Sequence, residues 1–167
     1  MRRRIAWVWV VLCCTGSGQA GPLDEKVSLE RLSYAQLAEI VTGLKGKVVL
    51  VDLWAEFCLP CKKEFPHFVA LQRRYADSGL AAISVSLDDP GDAEARQRVV
   101  DFLNEQKATC RNVLLTDSPK VWQAKWKIVG PPCVFLFDRQ GKLIQRWEGK
   151  DINYAVIEQR LTELLKE

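Results

Sequence analysis

The stretch VVLVDLWAEFCLPCKKEFP, residues 48–66, constrains the fold more than any other part of the chain. It opens with an unbroken apolar run, Val48–Val51, which is rich in β-branched residues and predicts a strand buried on both faces. A cysteine pair, Cys58 and Cys61, follows closely. Pro60 between them suits the first turn of a helix, because its missing N–H would be unpaired there. The stretch therefore predicts two thiols where a helix leaves a central sheet.

Thiols at such a position favour redox chemistry. Free backbone N–H groups and the positive end of the helix dipole stabilise a thiolate at a helix N-terminus. Half of a zinc site is one alternative, but zinc needs two further nitrogen or sulfur ligands and the chain has a single histidine, His67. A buried structural disulfide is a second alternative, although so small a loop gains little entropy. We interpret the pair as a redox-active disulfide that needs no other cofactor, and we predict no metal site.

Composition places the chain among globular proteins of one domain. It has 167 residues, of which 48% are hydrophobic and 27% charged. The formal charge of +3 depends on three arginines in residues 1–20; without them, 21 basic residues balance 21 acidic ones. A neutral domain gives no electrostatic reason to expect nucleic acid or an anionic membrane surface as a partner.

The N-terminus has the pattern of a signal peptide. Arg2–Arg4 precede a short apolar run, Ile5–Cys14, and small residues that end at Ala20, after which we predict cleavage. The run is shorter than the ~20 residues that a membrane-spanning helix needs. Acylation at Cys13 or Cys14 is the alternative, but the residues before them are not the small ones that such signals carry. We therefore predict an exported, periplasmic or extracytoplasmic protein, with lipid anchoring the less favoured outcome.

The segment Val51–Cys61 resembles the active-site stretch of thioredoxin. Together with Lys62–Pro66 and Val85–Asp89, it is similar to the exported TlpA/ResA-like branch of that superfamily, and the resemblance covers roughly Gly46–Leu165. It implies an α/β fold, a thioredoxin-like three-layer α/β/α sandwich with a mixed central sheet and an N-terminal extension. It also implies a thiol–disulfide oxidoreductase.

Hydrophobic periodicity along the chain agrees with that fold. We predict a signal peptide at 1–20, a strand and helix extension packed on the domain at 21–46, and the thioredoxin-like domain at 47–167. Within these parts we predict, besides the strand at Val48, a helix capped by Ser33, strands at 80–87, 113–115, 133–137 and 143–147, and helices at 93–106, from Pro119, and at 153–165.

Two carboxylates are candidate bases. Asp52 lies in the active strand, where burial raises a carboxyl pKa and so suits it to general-base catalysis near neutral pH. The resemblance implies that this Asp lies behind the resolving cysteine and shuttles its proton. Glu64 is three residues after Cys61, one helical turn on, and matches the Glu that follows the cysteine pair in TlpA/ResA-like proteins. Many of those carry Asn in place of Asp52, so which acid is the base stays open, and Glu64 can equally be a solvated helix residue.

We assign Cys58 as the attacking thiolate and Cys61 as the resolving thiol, because the first cysteine at a helix start is the more exposed and exchange proceeds through a mixed disulfide. Trp54 is expected to pack beside the pair and, with Pro60, to contribute to substrate binding. The intervening Leu59–Pro60 supplies no cation to stabilise a thiolate, and the two nearby carboxylates oppose one. We therefore expect a reductant.

The segment Gly130–Phe137 is the second informative stretch. A proline before a buried strand cannot donate to the ladder. The resemblance implies that Pro132 is a cis-proline facing the cysteine pair and that the backbone before it, at Pro131, hydrogen-bonds substrate. Cys133, where relatives often carry Thr, would add a third thiol near the disulfide. A small buried thiol is favoured; pairing with Cys110 or interception of the active disulfide are the alternatives.

The sequence thus predicts an exported, monomeric thiol–disulfide oxidoreductase that exchanges electrons with cysteine-containing exported proteins. The resemblance implies substrates such as apocytochrome c and a membrane electron donor. A redox-inactive thioredoxin-like module that binds a metal or a partner is the alternative from another class. A peroxidase is disfavoured, because no Thr/Arg-supported pocket for a peroxidatic cysteine is evident.

Overall fold

The structure, a computed structural model, describes residues 27–167, so the predicted signal peptide with Cys13 and Cys14 lies outside the described residues. No helix within those residues is both long and apolar enough to cross a bilayer. The elements are, in chain order, β1 Glu30–Leu32, α1 Tyr34–Gly43, β2 Val48–Trp54, α2 Leu59–Tyr75, β3 Leu80–Ser86, α3 Ala93–Glu105, β4 Arg111–Leu115, α4 Pro119–Trp126, β5 Cys133–Phe137, β6 Leu143–Glu148 and α5 Tyr154–Leu165, with a short 3₁₀ turn at Gly149–Asp151.

The strands form one six-stranded sheet in the order β1-β4-β3-β2-β5-β6. Strands β1, β4, β3 and β2 run parallel to one another, whereas β5 is antiparallel to β2 and β6 to β5. The sheet is therefore mixed, as predicted. Strand β2 pairs on both sides, and every one of its seven residues is buried, which explains its apolar run.

Helices cover both faces of the sheet and make the three layers that the sequence predicted. Side chains alternate between the faces along β2, so Leu50 and Trp54 belong to one core cluster while Val51 and Leu53 belong to the other. Helices α2, α3 and α5 pack on the first face, which also holds the cysteine pair, and α1 and α4 pack on the second. The predicted α/β/α sandwich is confirmed.

The helix starts follow local hydrogen bonding. Ser33 caps α1 in a capping box with Gln36, as predicted, and Asp92 caps α3 by accepting from the backbone N–H groups of Glu94 and Ala95. Ser118 also holds the N-cap position of α4, but its side chain makes no capping bond. These caps fix the ends of the connections that lead into and out of the sheet.

The N-terminal part of the described chain joins the same sheet rather than standing apart. Strand β1 pairs with β4 through Glu30–Leu32, and the carbonyl of Ser28 accepts a hydrogen bond from Asn112 Nδ2 at 3.2 Å. Asn112 is fully buried, and its Nδ2 also donates to the carbonyls of Ala108 at 2.8 Å and Cys110 at 2.9 Å. The boundary predicted between extension and domain stays a prediction.

Asn112→Ala should lower the free energy of unfolding by about 2–4 kcal/mol, because it leaves buried carbonyl groups without a donor. Urea denaturation of the oxidised protein measures this. The matched control is Asn104→Ala, which removes an exposed amide that donates to the carbonyl of Val100, and it should change stability by less than about 0.5 kcal/mol. Equal effects of the two substitutions would contradict a structural role for the buried amide.

Candidate redox site

Cys58 and Cys61 form a disulfide at the start of α2. The S–S distance is 2.02 Å and the Cα atoms are 5.3 Å apart. Cys58 is the N-cap residue, and its Sγ accepts a hydrogen bond from the backbone N–H of Cys61 at 3.3 Å. Cys58 is 8% exposed and Cys61 3% exposed. The sulfur pair therefore lies at a helix N-terminus, the position that favours a thiolate once the bond is reduced.

A buried carboxylate anchors the loop that leads from β2 to the disulfide. Asp88, just after β3, accepts hydrogen bonds from the backbone N–H of Glu56 at 2.9 Å and from the Ser86 hydroxyl at 2.8 Å. The Glu56 side chain in turn binds Lys62 at 3.1 Å and Arg98 at 3.3 Å, and its hydrogen bond with Lys62 is the main cause of its lowered pKa. Sequence reasoning assigned Asp88 no role in the site. The sequence did contain a signal for it: parallel strands β2 and β3 end at the same edge of the sheet, so a residue directly after β3 is expected near the loop that follows β2.

Two exposed apolar side chains flank Cys58 in the sequence. Phe57 is 72% exposed and Leu59 76% exposed, although both are large hydrophobic side chains flanking a buried cysteine. Beside them is an open groove of about 440 Å³ between the start of α2 and the loops before β5 and α5. Its lining residues are Leu59, Pro60, Lys63, Glu64, Pro132, Gly149, Lys150 and Ile152.

The loop before β5 ends in a cis peptide bond between Pro131 and Pro132. Pro132 shares the groove with Pro60, so the structure brings together these two predicted substrate-binding residues. The carbonyl of Pro132 is already engaged, since it accepts from the backbone N–H of Gly149 at 3.0 Å. Pro131 is half-buried and has no N–H, so its backbone can accept a hydrogen bond but cannot donate one.

Asp52 is 5% exposed in the middle of β2, on the same face of the sheet as the disulfide. Burial raises the pKa of its carboxyl group to about 7, and the effect of the Tyr154 side chain opposes that rise without cancelling it. Asp52 is thus poised to gain or lose a proton near neutral pH, which a general base requires.

Glu64, the other predicted acid, lies half-buried in the first turns of α2, where it lines the groove beside Pro132. Its charge contributes to the raised pKa of the Tyr154 hydroxyl, whose first cause is burial. The nearby His67 is exposed, and its ring centre lies 5.9 Å from that of Tyr154. Tyr154 therefore has both candidate bases as neighbours. No periodicity or motif singled it out, because it precedes the apolar positions that predict α5.

Trp54 has no exposed surface, so its side chain offers nothing to a docked substrate in this state. Its ring packs against Phe65 and Phe102, with centroid distances of 5.1 and 5.0 Å, and its Nε1 donates to Ser84 Oγ at 2.8 Å. Phe65 belongs to α2, the helix that begins at the disulfide. Trp54 therefore supports that helix from the sheet side.

The two remaining described cysteines are buried free thiols on different sides of the sheet. Cys110 belongs to the core cluster that holds the disulfide, whereas Cys133, paired in register with Leu53, belongs to the other. Burial is the first cause that raises the pKa of each thiol to about 12. The structure thus does not bring Cys133 together with Cys110 or with the disulfide. Among residues 27–167, no group of three or more His, Cys, Asp or Glu side chains is arranged to hold a metal ion.

Asp52→Asn should raise the free energy of unfolding of the oxidised protein, relative to wild type, by more at about pH 8 than at about pH 4. A carboxyl whose pKa is raised from 3.8 to about 7 on folding destabilises the folded state as pH rises between those values, by up to about 4 kcal/mol once ionised. The amide does not ionise, so this loss should vanish in the variant. Urea denaturation at the two pH values measures it. A stability difference between variant and wild type that is the same at both would contradict the raised pKa.

Comparison with known proteins places these features in a family. The model of the AhpC/TSA family matches residues 30–146. The thioredoxin-like protein YneN of Bacillus subtilis is 31% identical over 74% of this chain and 68% of its own length. The thiol-disulfide oxidoreductase ResA of the same organism is 29% identical over 63% of this chain and 55% of its own length. The shared segment covers as little as 6% of some curated relatives.

A solved structure agrees with this assignment. The crystal structure of a thiol:disulfide interchange protein DsbE from Chlorobium tepidum superposes with a TM-score of 0.62 at 27% identity, covering 75% of this chain and 84% of that one. The family match spans more than half of the chain and includes the disulfide, the buried acid and the cis-proline loop. The chain therefore belongs to the AhpC/TSA family and has a thioredoxin-like fold.

Proposed function

We propose that this protein is a thiol–disulfide oxidoreductase that reduces disulfides in exported proteins through Cys58 and Cys61. The observation that carries the proposal is the disulfide at the N-terminus of α2. Cys58 Sγ caps this helix, and exposed apolar side chains lie on either side of Cys58 in the sequence. A buried structural bridge would have no use for that apolar border. The relatives named ResA and DsbE support the same class of reaction.

The chemistry follows from the positions of the two sulfurs. In the reduced protein the Cys58 thiolate attacks a substrate disulfide, forming a mixed disulfide and releasing one substrate thiolate. Cys61 then attacks Cys58 Sγ, the second substrate thiolate leaves, and the Cys58–Cys61 bond forms. The substrate gains two electrons and the protein loses them. Cys61 must lose its proton to attack, and Asp52, with its pKa of about 7, is the buried base on the same face of the sheet.

The surface around the disulfide suits an extended polypeptide. Phe57 and Leu59 offer apolar contacts on either side of the buried Cys58, and the carbonyl of Pro131 can accept a backbone N–H from the substrate. Because Pro131 cannot donate, the substrate backbone pairs there through one hydrogen bond rather than two. Side-chain contacts then supply a larger share of the affinity for substrate than they would if the residue before the cis-proline had both a backbone N–H and a carbonyl to offer.

The cell compartment and the direction of electron flow belong to the proposal as well. The leader at residues 1–20 supports export, and cleavage after Ala20 would be seen as the mature N-terminus by mass spectrometry. A reductant outside the cytoplasm needs a source of electrons, which we assign to a membrane dithiol donor. The absence of a cation between the cysteines supports the reducing direction, because the helix N-terminus then stabilises the thiolate without help from a charged side chain between the two sulfurs. We propose that the mature protein acts as a monomer.

Cys58→Ala should abolish dithiol-dependent reduction of insulin, because the attacking sulfur is gone. Cys61→Ser should lose turnover and accumulate a mixed disulfide through Cys58, because no resolving thiol remains. Non-reducing gels with mass spectrometry of the trapped adduct measure both.

The matched control is Cys110→Ala, which removes a buried thiol on the same face of the sheet and should leave turnover unchanged. Wild-type protein without reductase activity would overturn the proposal. A redox potential well above that of the glutathione couple would contradict the proposed direction of electron flow.

Replacing Cys133 with Ala and titrating the thiols tests its predicted role as an auxiliary thiol.

A further inference from the structure

Two lysines line the groove of about 440 Å³ beside the disulfide, one on each of its walls. Lys63 belongs to α2, just after Cys61, and Lys150 belongs to the 3₁₀ turn that follows β6. Both residues are exposed. Neither forms an ion pair with a carboxylate within residues 27–167, so both ammonium groups are available to a bound chain.

Three other cations, on α2, α3 and β6, are each bound to an acid. Lys62 Nζ lies 3.1 Å from one carboxylate oxygen of Glu56, and Arg98 Nε lies 3.3 Å from the other. Arg146 Nε lies 3.0 Å from Glu148. A polypeptide at the disulfide would have to displace an existing partner to bind any of these three, whereas the two groove lysines need no such exchange.

The groove has an excess of positive charge. Glu64 is the acidic residue among those that line it, and it is half-buried, whereas both lysines are exposed. Asp151 follows Lys150 in the chain but does not line the groove. Two exposed cations against one half-buried acid make the groove complementary to a negatively charged chain.

The lysines are within reach of a polypeptide bound at the disulfide. Pro60, between the two cysteines, and the cis-proline Pro132 line the same groove. Lys63 lies about 7.5 Å beyond Cys58 along the axis of α2, at ~1.5 Å per residue. An extended chain covers that distance in about two or three residues. A carboxylate that close to a substrate cysteine can therefore meet an ammonium group of the groove.

We propose that the groove selects protein substrates that carry acidic residues within about three residues of the reactive cysteine, and that Lys63 and Lys150 bind these acids from opposite walls. This inference rests on the proposed exchange reaction and names the class of substrate for it. The exposed Leu59 offers apolar contact to any chain, whereas the two ammonium groups discriminate among chains by charge. Exposed charges act mainly on the rate of encounter and are screened by salt.

Three synthetic peptides test this inference. They share one disulfide loop and differ at two flanking positions, which are glutamate, glutamine or lysine. Reduced wild-type protein should reduce the glutamate peptide about fivefold to tenfold faster than the glutamine peptide at low ionic strength, because each exposed ion pair contributes up to a few-fold. The lysine peptide should be the slowest. At about 0.5 M NaCl, where the Debye length falls to ~4 Å, the three rates should converge.

Second-order rate constants from rapid-quench experiments measure these differences. Rates with dithiothreitol, which is uncharged, correct for the intrinsic reactivity of each disulfide. The double variant Lys63→Gln with Lys150→Gln should bring the ratio of the glutamate to the glutamine peptide close to one. The double variant Lys63→Glu with Lys150→Glu should instead favour the lysine peptide, a reversal that a damaged fold would not produce.

The matched control is Lys142→Gln, which removes an exposed lysine in the turn between β5 and β6, outside the groove. It should keep the wild-type ratio between peptides. A ratio near one in the wild-type protein, or the same ratio in wild type and in the double glutamine variant, overturns the proposal.

Binding to the oxidised protein separates this inference from the proposed function. Peptides with serine in place of both cysteines cannot exchange disulfides, yet the glutamate version should bind several-fold more tightly than the glutamine version, and Lys63→Gln with Lys150→Gln should remove the difference. NMR titration measures both affinities. Wild-type protein that reduces none of the disulfide peptides would contradict the proposed function alone. Equal or undetectable binding of the two serine peptides overturns the inference.

Discussion

A carboxyl group buried in the central strand is the constraint on which the site depends. Asp52 occupies a position of β2 where each neighbour along the strand is apolar and fully or almost fully buried. The packing around Asp52 keeps its carboxyl group away from water, and this desolvation raises its pKa to about 7. The Tyr154 side chain offsets part of this rise in the pKa, and the carboxyl group can therefore change its protonation state near neutral pH.

The rest of the active edge follows from strand direction. Because β2 and β3 are parallel neighbours, the residues after each strand meet at one edge of the sheet, so Asp88 reaches the backbone of Glu56 and holds the loop before Cys58. The loop then turns into α2, and the helix start presents free backbone N–H groups to the sulfurs. Antiparallel β5 arrives at the same edge from the other side of β2 and brings the cis-proline with it.

Much of this was predictable from sequence because local patterns determine it. The apolar run at Val48 predicted the central strand, and Ser33 predicted the start of α1. The cysteine spacing with Pro60 predicted a pair at a helix N-terminus. The partners of Asp52 were not predictable, because Tyr154 is about a hundred residues away and ordinary helix periodicity does not mark it. The burial of Trp54 was also missed, since an aromatic residue beside a cysteine pair suits a docking surface and a core equally.

The position of Cys133 shows a further consequence of the way side chains alternate along a strand. Cys133 pairs in register with Leu53 of β2, close to the edge of the sheet that holds the active site. Because side chains alternate along β5, Cys133 nevertheless lies in the core cluster on the opposite face from the disulfide. In the proposed exchange reaction, a third thiol within reach of Cys58 would compete with the substrate by forming an unproductive disulfide. The alternation of side chains along β5 keeps Cys133 out of that competition, because Cys133 lies in one core cluster while Cys58 and Cys61 lie in the other.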